Sequence, residues 1–250
     1  MTMGCGLLFD QTLCLGCGAC ELACQKEHGQ PPHKAVKLDA DSFTFVGRVE
    51  GGYFQRHLCM HCGDPACASV CPVSALRITK EGAVVYDASI CLGCRYCVMA
   101  CPFLIPKYEW NSPFPRVRKC DLCYEGRVSK GEEPACASVC PNGATVFGER
   151  AELLRIAKGR IQREPEKYID EVYGEYQAGG TSVMMILGKT TAASGLREGV
   201  LLDALPPLTG RMLRKIPVAV PVVGLMLAGF YFLTKRKNDI AKEEEEEKNG

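Results

Sequence analysis

Sixteen of the seventeen cysteines fall into four groups of four, and the groups alternate between two designs. Cys14-Leu-Gly-Cys17-Gly-Ala-Cys20-Glu-Leu-Ala-Cys24 recurs 77 residues downstream as Cys91-Leu-Gly-Cys94-Arg-Tyr-Cys97-Val-Met-Ala-Cys101. Between and after these lie Cys59, Cys62, Cys67, Cys71 and Cys120, Cys123, Cys136, Cys140, whose second halves share the string Pro-Ala-Cys-Ala-Ser-Val-Cys-Pro at Pro65–Pro72 and Pro134–Pro141. Three thiolates within seven residues can wrap three irons of a [4Fe-4S] cube, because a tight Gly-bearing turn aims sulfurs and backbone amides inward. The fourth lies about 6 Å further along a helix at 1.5 Å rise per residue, so it points away toward another cube.

This is the ligand run of bacterial ferredoxins, in which the fourth cysteine serves the neighbouring cluster and a proline commonly follows it. Prolines follow Cys71, Cys101 and Cys140, whereas Gln25 follows Cys24. Zinc is the first alternative, but a tetrahedral zinc site takes two short pairs across a longer loop, not three cysteines in seven residues. Disulfides are the second, and they suit small secreted chains rather than 250 residues with 47% hydrophobic composition. The leftover Cys5 reads as a small apolar side chain and not as a ligand.

The remaining sequence bounds the function further. Thirty basic and 29 acidic residues give a net charge of +1, and aromatic content is 8%, so neither charge nor stacking marks a nucleic-acid binder. No dinucleotide fingerprint, HExxH or GxSxG occurs. Gly188-Lys-Thr190 lacks the earlier glycine of a phosphate loop, because that position is Val183. Short strands are expected at Gly6–Asp10, Ser42–Val46, Gly51–Phe54, Ala144–Phe147 and Val183–Leu187. A hairpin is expected from Arg77–Thr79 and Ala83–Tyr86, and an amphipathic helix over Arg150–Gln162. Metal-ligand bonds are expected to replace the core that the loop-rich segments lack.

Ile216–Leu233 has eighteen residues without a charge, about 27 Å as a helix against a hydrocarbon core of roughly 30 Å. It reads as one transmembrane helix, with Pro217 and Pro221 in its first turns, where a missing amide costs least. Basic flanks on both sides leave its orientation open. Glu243–Glu247 reads as a disordered, solvated tail. The residues before the first motif show neither a signal-peptide pattern nor a twin-arginine pair.

Four cubes with shared ligands would form a row of one-electron sites. Their potentials are set by hydrogen bonds to sulfur, burial and local charge. Candidate tuning residues are His61, Arg95, Tyr96, Lys107 and Lys119, although a packing or solvated role is the simpler reading of each.

Taken together, Cys59-Met-His-Cys62, Asp64-Pro65, Cys71-Pro-Val-Ser-Ala-Leu76, Cys94-Arg-Tyr-Cys97, Ala100-Cys-Pro102 and Ile105-Pro-Lys-Tyr108 resemble the iron-sulfur subunit of hydrogenase-2. Arg127-Val-Ser and Gly131-Glu-Glu-Pro-Ala-Cys136 are more similar to the beta subunit of respiratory formate dehydrogenase. Tyr173-Gly, Gly179-Gly-Thr181 and the C-terminal apolar helix resemble both, so the likeness covers nearly the whole chain.

The resemblance implies an α+β fold, a tandem bacterial ferredoxin-like body with a C-terminal single transmembrane helix. Residues 1–48 and 112–165 would form the outer half and 49–111 the inner half, followed by an extension over 166–215, the span at 216–234 and a charged tail at 235–250. It also implies the ligand sharing: Cys14, Cys17, Cys20 with Cys140; Cys120, Cys123, Cys136 with Cys24; Cys59, Cys62, Cys67 with Cys101; and Cys91, Cys94, Cys97 with Cys71. The implied partners are a catalytic subunit, of hydrogenase or molybdenum/tungsten formate dehydrogenase type, and a quinone-reactive membrane subunit. The implied place is the inner membrane, single-pass, with the cluster body on the periplasmic side. One departure is that the hydrogenase subunit carries a twin-arginine leader, which this sequence does not show; the formate dehydrogenase subunit lacks one and is exported folded with its partner. The rival reading is a membrane-tethered polyferredoxin acting as a mobile carrier or redox sensor.

Overall fold

The apolar residues ahead of the first cysteine motif form strand β1 (Cys5–Asp10), and helix α1 (Ala19–Glu27) then carries Cys20 and Cys24. The computed structural model describes residues 4–110, 112–188, 193–213 and 216–249. These fall into two compact units, residues 1–206 and 207–250. In the first unit, β2 (Phe45–Arg48) and β3 (Phe54–His57) pair antiparallel, and short helix α2 (Ala66–Ser69) holds Cys67. Strands β4 (Leu76–Ile78) and β5 (Val84–Tyr86) form the expected hairpin, α3 (Tyr96–Ala100) holds Cys97, and β6 (Lys107–Tyr108) pairs with β7 (Val117–Arg118). Then come α4 (Ala135–Ser138) with Cys136, β8 (Thr145–Glu149), α5 (Arg150–Arg163), β9 (Val172–Tyr173) and β10 (Val183–Ile186).

The main sheet has the order β8-β1-β10-β9. β1 runs antiparallel to β8 and parallel to β10, with Leu7 opposite Val183 and Phe9 opposite Met185. Side chains alternate across it with period two. Leu7, Phe9, Val183 and Met185 face the core shared with the cysteine loops, while Leu8, Met184 and Ile186 face Leu153, Ala157 and Ile161 of α5. β10 is covered on both faces, which is why Val183–Leu187 reads as an unbroken apolar run. At the end of β1 the fully buried Asp10 accepts from the Thr12 amide (3.0 Å) and the Tyr168 hydroxyl (3.0 Å) and pairs with Arg160 of α5 (2.8 Å). The turn into the first cysteine motif is thereby pinned to the helix behind the sheet.

Sequence reasoning placed β2 and β3 a few residues early, since Glu50–Gly52 is a 3-10 turn and not part of a strand. Lys189 and Thr190 lie outside the described residues, as do Arg214 and Lys215 of the expected linker. What precedes them is helix α6 (Leu205–Leu213), with Pro206 and Pro207 in its first turn, where proline is tolerated.

Helix α7 (Ile216–Asn249) contains the only stretch among the described residues that is long and apolar enough to cross a membrane, Ala219–Asn238, with mean hydropathy 1.2. Pro221 lies inside the helix, beyond its first turn. The tail is a correction: Glu243–Glu247 is helical, because Ala, Glu and Lys are strong helix formers extending a helix that already exists, so no nucleation cost is incurred.

Candidate iron-sulfur centres

In all four motifs the residue before the second cysteine is left-handed: Gly16 (φ 67°), His61 (49°), Gly93 (69°) and Leu122 (64°). Such a turn makes consecutive backbone N–H groups converge on a concavity that receives an anion. At Gly16 the requirement is doubly strict, because a Cβ would lie 2.4 Å from the Phe54 ring. His61 and Leu122 adopt the same conformation without being glycine, strain of the kind that persists where surrounding structure enforces it at functional sites. Two of these loops already aim amides at sulfur, Gly93 N–H to Cys91 Sγ and Leu122 N–H to Cys120 Sγ, each at 3.4 Å.

The fourth cysteine of each motif follows from where its helix ends. α2, α3 and α4 stop before Cys71, Cys101 and Cys140, ahead of the prolines that cannot continue them. Freed amides then reach back to sulfur, Ala75 to Cys71 Sγ at 3.2 Å and Ile105 to Cys101 Sγ at 3.5 Å. With Gln25 in place of proline, α1 runs on to Glu27 and delivers His28 instead. His28 Nδ1 is 2.8 Å from the Cys24 carbonyl and 3.7 Å from Cys24 Sγ, while Nε2 is 2.9 Å from Asp121. The carbonyl and carboxylate oxygens only accept, so both ring nitrogens donate and the ring is an imidazolium. Burial opposes that charge, but the bonds to Asp121 and Cys24 outweigh it and hold His28 up to about 11. His28, Asp121 and Cys123 bring ligand atoms within 4.8 Å, yet an imidazolium with both nitrogens donating has no lone pair for a metal.

The sixteen thiols gather into four groups. Cys14, Cys17, Cys20 and Cys140 line one cavity, here site I. Cys123 has Cys136 and Cys24 as electrostatic neighbours, and Cys120 has Cys24 and Cys123, which makes site II. Cys62 is pushed well up by burial and then by Cys59, Cys101 and Cys67, site III. Cys97 is pushed up to about 11 by burial and by Cys91, Cys94 and Cys71, site IV. Thiols so buried and so crowded would repel one another as thiolates, and a bound cation removes that conflict.

The groups also adjoin in order. Cys20 of site I neighbours Cys136 of site II. Cys24 and Cys120 of site II pack with Cys59 of site III, and Cys67 of site III packs with Cys97 of site IV. All four thiols of site II are buried, whereas the exposed thiols, Cys17 and Cys94, belong to the two ends of the row.

A 4Fe-4S dicluster domain family matches residues 51–150. A protein of Nitratidesulfovibrio vulgaris (Hildenborough) is 40% identical over 259 residues, covering 97% of this chain and 70% of that protein. Hydrogenase-2 operon protein HybA of Escherichia coli O157:H7 is 37% identical over 228 residues, 73% of this chain and 70% of that protein. The iron-sulfur subunit of the nitrate-inducible formate dehydrogenase of Escherichia coli K12 is 36% identical over 200 residues, 72% of this chain and 67% of that subunit. The chain belongs to this family of iron-sulfur electron-transfer subunits. As a member it carries electrons within an oxidoreductase complex and is not itself the catalyst.

Within the family's frame, the predicted tuning residues separate sharply. Arg95 is stacked against Tyr108 and Trp110 at 5.3 and 5.0 Å, Tyr96 is 61% exposed, and Lys107 caps the Leu104 carbonyl at the surface. Lys119 is buried, donating to the carbonyls of Val84 and Cys120. His61 is fully buried and, by that burial, stays neutral; the Val84 amide donates to its Nδ1 at 2.8 Å, which leaves the proton on Nε2. Among the described residues that Nε2 has no hydrogen-bond partner. A buried orphan donor beside Cys62 fits a sulfur-rich anion, and so do the amide turns around it. Sequence reasoning missed His28, Asp121 and Arg56; the only available signal for the first was the absent proline after Cys24.

Proposed function

We propose that the chain holds four [4Fe-4S] clusters, with Cys14, Cys17, Cys20 and Cys140 at site I; Cys24, Cys120, Cys123 and Cys136 at site II; Cys59, Cys62, Cys67 and Cys101 at site III; and Cys71, Cys91, Cys94 and Cys97 at site IV. When bound, each cube supplies a one-electron couple. The protein's own work is to fix the order of the sites, to bury the middle of the row and to bring its two ends to the surface. The observation that carries this reading is the exposure of Cys17 and Cys94 at opposite ends of an ordered row in which seven of the eight interior thiols are buried and the eighth, Cys62, is half-buried. Residues 1–48 with 112–165 and residues 49–111 would be the two ferredoxin-like halves, a division supported by the packing of α1 on α4 and of α2 on α3.

One end of the row would meet a catalytic subunit, of hydrogenase or formate dehydrogenase type, and the other a quinone-reactive membrane subunit. Residues 216–234 would be the single-pass anchor in the inner membrane, with the cluster body on the periplasmic side. The test is to purify the protein from membranes, identify what accompanies it and measure iron. About sixteen irons, four per cube, and a stable catalytic partner are the expected result. Stoichiometric zinc with little iron would overturn the cluster assignment, and a monomer without partners would favour a mobile carrier.

A further inference from the structure

Arg56 of β3 carries a permanent charge yet is only 2% exposed, the largest of the fully buried side chains. Its Nε donates to Thr44 Oγ1 at 2.9 Å and Nη1 to Thr145 Oγ1 at 3.0 Å, so two neutral hydroxyls fix the plane of the guanidinium. Among the described residues no carboxylate forms a salt bridge with it. A buried charge without a counter-charge is strongly destabilising, so the fold must supply negative charge from elsewhere. The Glu21 carboxylate, which accepts from the Val46 amide, lies within the electrostatic reach of Arg56 without pairing to it; the other anionic groups that face it are sulfurs. The guanidinium lies in the field of Cys136, Cys20 and Cys120 and lines the cavity bounded by Cys14, Cys17, Cys20 and Cys140. It therefore stands between sites I and II, and neither the first nor the fourth motif contributes it.

We propose that Arg56 is a positioning cation shared by the clusters of sites I and II, holding both at higher reduction potential than they would have without it. This rests on the four-cluster reading above. A cube with four thiolate ligands is an anion that gains one further negative charge on reduction. In that step one electron enters from the reductant, no bond forms or breaks, and Arg56 keeps its proton. A fixed cation stabilises the more negative state more, and standing between two such anions it also screens each from the charge of the other. The hydroxyls of Thr44 and Thr145 keep the charge central to both.

The test is a redox titration of the membrane-purified complex, followed by electron paramagnetic resonance, with C14S and C123S used to assign the signals of sites I and II. In R56Q the reduction equilibrium of those two clusters should fall roughly tenfold, about 59 mV for a one-electron couple, while the clusters of sites III and IV keep theirs. R56K should restore much of the shift. Should R56Q lose iron, T145D gives the same reading with the arginine retained, because a carboxylate in place of the hydroxyl neutralises the charge; the same two clusters should then fall. Full iron content with no selective shift, an equal shift of all four clusters, or R56K behaving as R56Q would overturn the proposal. The wild-type iron content and cluster signals decide the four-cluster reading separately.

Discussion

His28 Nε2 lies 2.9 Å from the Asp121 carboxylate, a bond between the end of α1 and the fourth cysteine motif, 93 residues later. It joins a residue one helical turn beyond Cys24 to the residue directly after Cys120, two thiols of site II. The Cys123 amide donates to the same carboxylate at 2.8 Å, so one side chain orders both halves of the site. His28→Ala and Asp121→Asn should each speed the loss of iron from site II to a chelator. The double variant should be less severe than the two added together, with a coupling of about 1–2 kcal/mol. Additive effects in that cycle would mean the pair does not act as a unit.

Ligand sharing between distant motifs has a direct genetic signature. Cys140→Ser should remove the same paramagnetic signal as Cys14→Ser, and Cys24→Ser the same one as Cys120→Ser. If Cys24→Ser instead matched Cys14→Ser, each motif would close its own cluster and the proposed pairing would be wrong.

Gly16→Ala should be far more damaging than Gly93→Ala, although the two positions are equivalent in the repeat and both have positive φ. At Gly16 the new methyl meets the body of the Phe54 ring at 2.4 Å, whereas at Gly93 it meets only the tip of Tyr108, its hydroxyl, at 2.9 Å. Gly16→Ala is expected to cost the protein about one cube, roughly four irons, while Gly93→Ala should retain most of its iron. Iron analysis of the two purified variants side by side decides it.

Truncation after Gly210 should give a soluble protein that keeps its iron and accepts electrons from an artificial dye but no longer supports reduction of a quinone analogue. Ile216–Leu233 contains no charged residue, so a helix here has no ion route of its own and its contribution would be packing beside a partner. Unchanged quinone activity in the truncated complex would show the helix to be dispensable.

The cysteine groups were legible because ligand spacing is set by covalent reach and needs no tertiary information. Helix α5 and the β4–β5 hairpin were legible for a related reason, since their periodicity is local. The pairing of β1 with β10 was not, although both strands were read correctly, because nothing in a strand names a partner 176 positions away, as Leu7 and Val183 are. Arg56 was invisible for the opposite reason: β3 buries both Gln55 and Arg56, so the alternation that would betray an inward charge is absent. The tail was misread because a run of glutamates was judged as an isolated peptide, while its helix is inherited from the apolar span before it.

The main sheet sets a timetable for assembly. Sites III and IV draw all their thiols from the single stretch Cys59–Cys101, so that part of the chain can receive its metal while the ribosome is still working toward Cys140. Sites I and II must wait for thiols from both extremes of the motif region, and β1 waits longer still for β8 and β10 to close over it. On the proposed four-cluster reading, this order allows the nascent protein to be filled from its middle outward, with β10, the last of the described strands to emerge, sealing a body whose inner cofactors can already be in place.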